Sequence, residues 1–309
     1  MLRHPGVGPA VFSAHTHVQG DRQDAQWPAG QRDHRANSRD DAQLQAARVP
    51  AETKVACSAA GQPALGLQTR NLGRHWGSFK AVDALTLSFA PGLRHALIGP
   101  NGAGKSTLVN LLGGALAAGS GRIYLDGRDI TGLSQHQRVK LGISRTFQIN
   151  NLFPGLTVLE SVLLAIGERR ARQHVWRHAL ASEQASISEA LDLLETLRLG
   201  QDAATLTRHL PYGKQRVLEL ALALAARPRI LLLDEPAAGI PGDESAELFA
   251  LLAALPGHMT VILVEHNMDL VFRHAQRITV LMAGTLLCQG DPVEVAGDAR
   301  VREVYLGHA

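Results

Sequence analysis

The sequence predicts an α/β fold organised around a largely parallel sheet, and three observations carry the prediction. From about residue 64 onward, short apolar runs alternate with helical patterns. The runs at 230–233 and 260–264 are nearly uninterrupted by charge, as expected of strands buried on both faces. A mostly helical stretch separates an earlier α/β part from a later one.

Composition bounds what the chain can do. Of its 309 residues 45% are hydrophobic and 19% charged, so a large core can be buried, and with 4% aromatics that core must be aliphatic. The formal charge of +3 comes without a basic stripe interleaved with aromatics, which argues against nucleic acid as a partner. Cys57 and Cys288 are too far apart and too few for a disulfide framework. His15 and His17 sit in a polar tail without metal-ligand spacing. No run of about 18 apolar residues is present to span a bilayer, and the N-terminus lacks a signal-type apolar segment. Residues 1–62 are rich in Gln, Arg, Asp, His and Ala without an apolar period, and are expected to be a disordered polar tail.

The elements follow in order. Strands are predicted at 65–72 and 81–89, flanking a turn at Trp76-Gly77-Ser78, and at 95–98 after the Pro91-Gly92 turn. A Gly-rich loop then leads into an apolar helix at 105–112. Residues 121–125 form a strand closed by Asp126-Gly127. Thr157 and Glu160 have the spacing of a capping box at a helix start. Ile187, Leu191, Leu194 and Leu197 define a further helix, expected to stop at Gly200. Residues 278–282 and 286–289, around Ala283-Gly284, read as a closing hairpin.

The chemistry resides in three motifs. Gly99-Pro100-Asn101-Gly102-Ala103-Gly104-Lys105-Ser106 is a complete G-x-x-x-x-G-K-S loop between a predicted strand and a predicted helix. Its glycines let backbone N–H groups surround phosphate oxygens, and the helix N-terminus adds partial positive charge. Lys105 then reaches the β- and γ-phosphates and Ser106 offers a hydroxyl to Mg²⁺; Thr107 joins the loop residues as an ATP-binding candidate. About 130 residues later, an apolar strand ends in Asp234-Glu235-Pro236. Asp234 is the candidate magnesium carboxylate and Glu235 the candidate general base. Leu210-Pro211-Tyr212-Gly213-Lys214-Gln215-Arg216 precedes that strand by one helix, apolar nearly all round and therefore buried, ended by Pro228.

In this last segment the chain resembles the ABC ATPase family, whose signature is LSGGQ followed shortly by Arg. The match covers the chain from about residue 65 to its end, and is partial at Pro211, where the family has a serine. The resemblance implies a P-loop NTPase (RecA-like) core with a parallel sheet, an antiparallel β subdomain, and an inserted helical subdomain at about 149–226, all within a domain at 63–309. It assigns Trp76 to adenine stacking, Gln148 to Mg²⁺ or the attacking water, and His266 to the γ-phosphate. It makes Leu210, Pro211, Tyr212, Gly213, Lys214 and Gln215 a signature read by a partner's ATP. Ala238-Gly239-Ile240-Pro241 takes the D-loop position, with Pro241 where an acidic or amide residue is usual.

The strings RTFQ, LPYGKQR, DEPAAGI, EHNMD and the ending Tyr305-Leu306-Gly307 are similar to the ATP-binding subunits of branched-chain amino-acid importers. Urea/amide importers and the lipopolysaccharide-export ATPase share parts of the pattern and remain alternatives, with a non-transport ABC ATPase further off. The resemblance implies ATP and Mg²⁺ as ligands and permease subunits as partners. It also implies a second ATP-binding subunit, identical or paralogous, an extracytoplasmic binding protein reached through the permease, and a place at the cytoplasmic face of the membrane. Arg169-Arg170-Ala171-Arg172 reads either as a solvated helix face or as a contact with permease or anionic lipid.

Overall fold

The computed structural model describes residues 66–146, 152–171 and 179–306. The tail at 1–62, Gln148, Arg172 and Gly307 lie outside the described residues.

Two sheets are present. The first is antiparallel, with β1 (Leu67–Trp76), β2 (Phe79–Phe89), β4 (Ser120–Leu125) and β5 (Arg128–Asp129) in the order β2-β1-β4-β5. Strand β2 shows why it forms: Leu85, Leu87 and Phe89 are buried while Thr86 and Ser88 face out. The hairpin closes at Gly77, where φ is 60°; β1 runs on to Trp76 and β2 starts at Phe79, both closer to the turn than the apolar pattern marked.

The second sheet has six strands in the order β10-β9-β3-β8-β7-β6. These are β3 (Arg94–Ile98), β6 (Ile143–Arg145), β7 (Ile230–Asp234), β8 (Thr260–Val264), β9 (Arg277–Met282) and β10 (Thr285–Gly290). All neighbours are parallel except the β9–β10 hairpin. Every residue of β7 and β8 is buried, as uninterrupted apolar strands in a parallel sheet require.

Nine helices are described: α1 (Lys105–Gly113), α2 (Gln135–Lys140), α3 (Val158–Ala171), α4 (Ala179–Thr196), α5 (Tyr212–Ala225), α6 (Gly242–Ala254), α7 (Met268–His274), α8 (Pro292–Gly297) and α9 (Ala299–Leu306). The period of two in the parallel strands divides the core between two clusters. Leu231 and Leu233 of β7, with Ala96 and Ile98 of β3, join a cluster containing Val158, Val162, Leu194 and Leu218 from the helical insert. Leu232 and Leu97, on the opposite face, join Leu108 and Leu112 of α1 and Leu67 and Phe89 of the antiparallel sheet. Each fully buried leucine contributes about 1.5–3 kcal/mol before entropic costs. The parallel sheet is thus fixed between the helical part and the antiparallel part.

Arg138 anchors α1 from below. Its side chain is fully buried and donates to the carbonyls of Leu111 at 2.6 Å and Leu112 at 2.8 Å. Burial pushes its pKa down to about 10, still charged at neutral pH. A cation on the last carbonyls of a helix is favoured by the helix dipole.

The Thr157 capping box forms, with Glu160 N–H donating to Thr157 Oγ1 at 3.1 Å and Thr157 N–H to Glu160 Oε2 at 2.7 Å. Helix α4 ends earlier than predicted. It stops at Thr196, ahead of Arg198 at φ 58°, and Gly200 instead opens a 3₁₀ turn. Arg169 and Arg170 both pair with Glu189 of α4, at 2.7 and 3.0 Å, and Arg227 reaches its other oxygen at 2.9 Å. Two arginines of the basic cluster therefore clamp α3 to α4. No helix among the described residues is long and apolar enough to cross a membrane.

Candidate nucleotide site

Sheet order brings the candidate residues together. Strands β3, β8 and β7 are adjacent and parallel, with Leu97 opposite Val264 and Asp234 opposite Val264. The residues just past their carboxyl ends therefore share one edge: the loop starting at Gly99, the Asp234-Glu235 pair, and Glu265-His266. In open α/β sheets this edge is where ligands bind.

The loop after β3 returns into α1 at Lys105. Two of its glycines are required by close approach. A Cβ on Gly99 would collide with the Leu281 carbonyl, and one on Gly104, at φ 97°, with the Ala81 carbonyl. The loop is pinned by Ala103 N–H to Pro100 O at 3.1 Å and Gly284 N–H to Ala103 O at 3.1 Å. The loop leads directly into α1, whose first turn has no side-chain cap, so its amides are left for another acceptor, the arrangement that receives phosphate. Lys105 is buried, and its ammonium donates to the carbonyls of Gly99 at 2.7 Å and Pro100 at 3.0 Å. Burial lowers its pKa, while Glu235 and Asp234 act in the opposite direction.

Ser106 and Asp234 belong to a closed hydrogen-bonded ring of four residues. Ser106 Oγ donates to Asp234 Oδ1 at 3.3 Å, and Arg145 Nη2 donates to Asp234 Oδ2 at 3.1 Å. Arg145 Nη1 donates to Asn110 Oδ1 at 2.5 Å, and Asn110 Nδ2 to the Ser106 carbonyl at 2.7 Å. Burial raises the Asp234 pKa, with Arg145 opposing. A hydroxyl and a buried carboxylate converging in this way are hard oxygen donors, suited to Mg²⁺ that keeps most ligands from water and phosphate. Among the described residues no group of three or more His, Cys, Asp or Glu could hold a metal alone.

Glu235 has a left-handed backbone, φ 51°, and its N–H donates to Val264 O at 3.0 Å. His266 Nε2 lies 2.8 Å from Glu235 Oε1. Between them Glu265 is buried and accepts from Ala237 N–H and His266 N–H, both at 3.1 Å. Burial raises the Glu265 pKa. Glu265 thus ties the end of β8 to the turn after β7.

Pro211 and Pro241 each occupy the N-cap of a helix, α5 and α6, and neither offers a side-chain cap. Leu210 is buried and Gly213 lies under the Glu244 side chain. Lys214 pairs with Asp202 at 2.7 Å, and Gln215 donates to the Leu210 carbonyl at 2.9 Å. Tyr212 bonds to Ala238 in the turn after Glu235, at 3.2 Å. Within this chain the 210–215 segment thus meets the Ala238-Gly239 turn. Trp76 ends β1 half-exposed, with the Arg74 guanidinium 5.2 Å from its ring centre. Asn101 and Gly102 are exposed at the loop tip, and Thr107 is half-buried in α1. Gln148 lies outside the described residues, just beyond β6.

Three further residues of the site have no role that the sequence assigns. Asn110 and Arg145 are placed by tertiary pairing, although Arg145 starts the RTFQ string. Tyr305 of α9 is half-buried, and burial pushes its pKa up to about 12, with the Gly99 amide acting against that rise. The YLG ending signalled it without giving a role.

The loop, the acidic strand end and the sheet order define a P-loop nucleotide-binding ATPase. Comparison with known proteins narrows the class. The ABC transporter family model matches residues 82–238. The ATP-binding protein LivG of high-affinity branched-chain amino acid transport in Escherichia coli is 38% identical over 251 residues, 79% of this chain and 98% of that protein. Its counterpart BraF of Pseudomonas aeruginosa is 36% identical over 255 residues, 79% of this chain and 98% of that one. Among solved structures, the ADP conformation of an ABC transporter cassette is 30% identical, with a TM-score of 0.68 over 78% of this chain and 98% of that one. A dimeric bacterial ABC transporter cassette is 26% identical, with a TM-score of 0.64 over 73% of this chain and 98% of that one. The chain belongs to the ABC transporter family, as an ATP-binding and ATP-hydrolysing subunit.

Proposed function

We propose that the chain powers an importer of branched-chain or related amino acids, with Glu235 as the base that activates water against ATP. The observation that carries the chemistry is the 2.8 Å contact between His266 Nε2 and Glu235 Oε1. It orients the carboxylate at the edge where Lys105 and Ser106 would hold the phosphates. Ser106 and Asp234 would hold Mg²⁺, which on binding would neutralise phosphate charge. Lys105, released from its own loop carbonyls, would bind the β- and γ-phosphates. Trp76 would stack on adenine, Gln148 would touch Mg²⁺ or the attacking water, and His266 would contact the γ-phosphate.

Two cassettes would pair head to tail, so that the 210–215 segment of each covers the other's ATP. The dimeric cassette among the structural relatives supports this pairing. Pro211 removes a hydroxyl and Pro241 a polar side chain from that surface, which favours an asymmetric pair with a paralogous chain. The relatives' names support amino-acid cargo. Permease subunits at the cytoplasmic face of the membrane, fed by an extracytoplasmic binding protein, would complete the assembly.

The test is reconstitution in proteoliposomes with permease subunits, a second cassette and a binding protein of the branched-chain amino-acid importer type. Leucine, isoleucine or valine uptake that needs ATP supports the reading. ATP hydrolysis stimulated by another solute, or by none of these, would reassign the cargo.

A further inference from the structure

Tyr212 sits in the segment that would face a partner's nucleotide, and within its own chain it meets the turn that follows Glu235. We propose that Tyr212 is a positioning residue for Glu235, holding the turn that follows it; this rests on Glu235 being the general base.

The hydroxyl is fully committed. Arg216 donates to Tyr212 Oη from Nε at 3.1 Å and from Nη2 at 2.6 Å. A phenol oxygen has two acceptor positions and one proton. With both acceptor positions filled, the proton is directed to the Ala238 carbonyl, 3.2 Å away. Ala238 N–H in turn donates to the Glu235 carbonyl at 3.0 Å, closing the turn. The ring also packs on the same turn. Gly239 has φ 77°, and a Cβ there would stand 3.3 Å from Tyr212 Cε1.

The turn needs holding, because Glu235 has a left-handed backbone that residues with a Cβ disfavour. Arg216 fixes Tyr212 in place. Its guanidinium lies 5.0 Å from the Tyr212 ring centre, and its Nη1 pairs with Glu219 at 2.8 Å in a nearly buried ion pair. Arg216 and Glu219 line a cavity of about 10 Å³ together with Asp234 and Pro236. The turn is therefore held on one side by Tyr212, while the same helix, α5, backs the strand end that presents Asp234. A tyrosine half-exposed on a helix surface would ordinarily be a solvated side chain; three hydrogen bonds and a ring seated on a glycine give it a mechanical task.

The experiment compares wild-type and Tyr212→Phe full chains, in the assembled transporter for turnover and alone for amide hydrogen exchange. Phenylalanine keeps the ring and removes all three hydrogen bonds of the hydroxyl, including the tie to Ala238, so kcat should fall about three- to tenfold with ATP affinity unchanged. Amides of residues 236–240 should exchange faster, with the thermal midpoint near wild type. Adding Tyr212→Phe to Glu235→Gln should lower turnover no further, since nothing is left to position. An unchanged kcat, or a loss confined to ATP affinity, overturns the proposal; the latter would place Tyr212 at nucleotide instead. If the wild-type chain binds ATP without hydrolysing it, the role of Glu235 fails. Exchange then decides on the turn alone: unchanged exchange overturns the tie, faster exchange upholds it.

Discussion

His266 Nε2 lies 2.8 Å from Glu235 Oε1, joining the ends of two adjacent parallel strands at the carboxyl edge of the sheet. On the proposed mechanism this carboxylate activates the water that attacks the phosphate, and the contact gives the first prediction. His266→Ala should leave ATP binding intact and slow hydrolysis about 10²-fold. Single-turnover phosphate release, set beside equilibrium nucleotide binding, separates the two quantities. Equal loss of binding would mean that His266 serves the loop instead.

Arg145 and Asp234 make the second. Asp234 is buried, and Arg145 Nη2 is 3.1 Å from its Oδ2 with both side chains almost fully enclosed. Arg145→Ala strands a buried carboxylate and should cost about 3–5 kcal/mol of unfolding free energy. Urea unfolding of the two proteins measures it. Removing the charge as well, in Arg145→Ala with Asp234→Asn, should recover part of the loss.

His95 supplies a pH dependence. It is buried in β3 with Nε2 2.7 Å from Thr279 Oγ1. Burial, with Arg277 nearby, pushes its pKa down to about 3. In the unfolded chain the pKa is about 6.5. The unfolded state therefore takes up the proton first. This contribution to stability is complete above about pH 6.5 and is lost as the pH falls toward 3, by about 1.4 kcal/mol per pH unit at most. Unfolding free energies of His95→Asn should decline less steeply than wild type between pH 6.5 and 5; parallel curves would contradict the assignment.

Much of this was legible in the sequence, and the limit has a physical cause. The strand at 260–264 and the helix start at Lys105 coincide with the structure because continuous apolar runs and a Gly-rich loop are local signals. The end of α4 does not, because Arg198 takes a left-handed backbone ahead of the glycine that marked the stop. Lys105, Asp234 and His266 could be named from motif order. The Arg138 anchor, the Arg145–Asn110 bond and the Tyr212 tie could not, since each joins residues distant in sequence whose side chains meet only when the sheets assemble.

Glu189 gives a fourth prediction, in the helical part. Burial works to raise its pKa, but hydrogen bonds from Arg169 and Arg170 outweigh it and hold the carboxyl down at about 2. The folded value lies below the unfolded one, so the clamp stabilises above about pH 4.3 and fades as the pH falls toward 2. Glu189→Ala should lower the thermal midpoint at pH 7, and the gap to wild type should shrink at pH 2.5. A gap independent of pH would mean that packing, not charge, joins α3 to α4.

The most direct measurement of the central claim is γ-phosphate cleavage by the Glu235→Gln variant in the assembled transporter, followed through one turnover with radiolabelled ATP. Glutamine keeps the shape of the side chain and removes its basicity. The predicted result is tight ATP occupancy in a closed dimer, with phosphate release slowed by two orders of magnitude or more. Phosphate release at the wild-type rate would contradict the assignment of Glu235 as the base that drives this subunit.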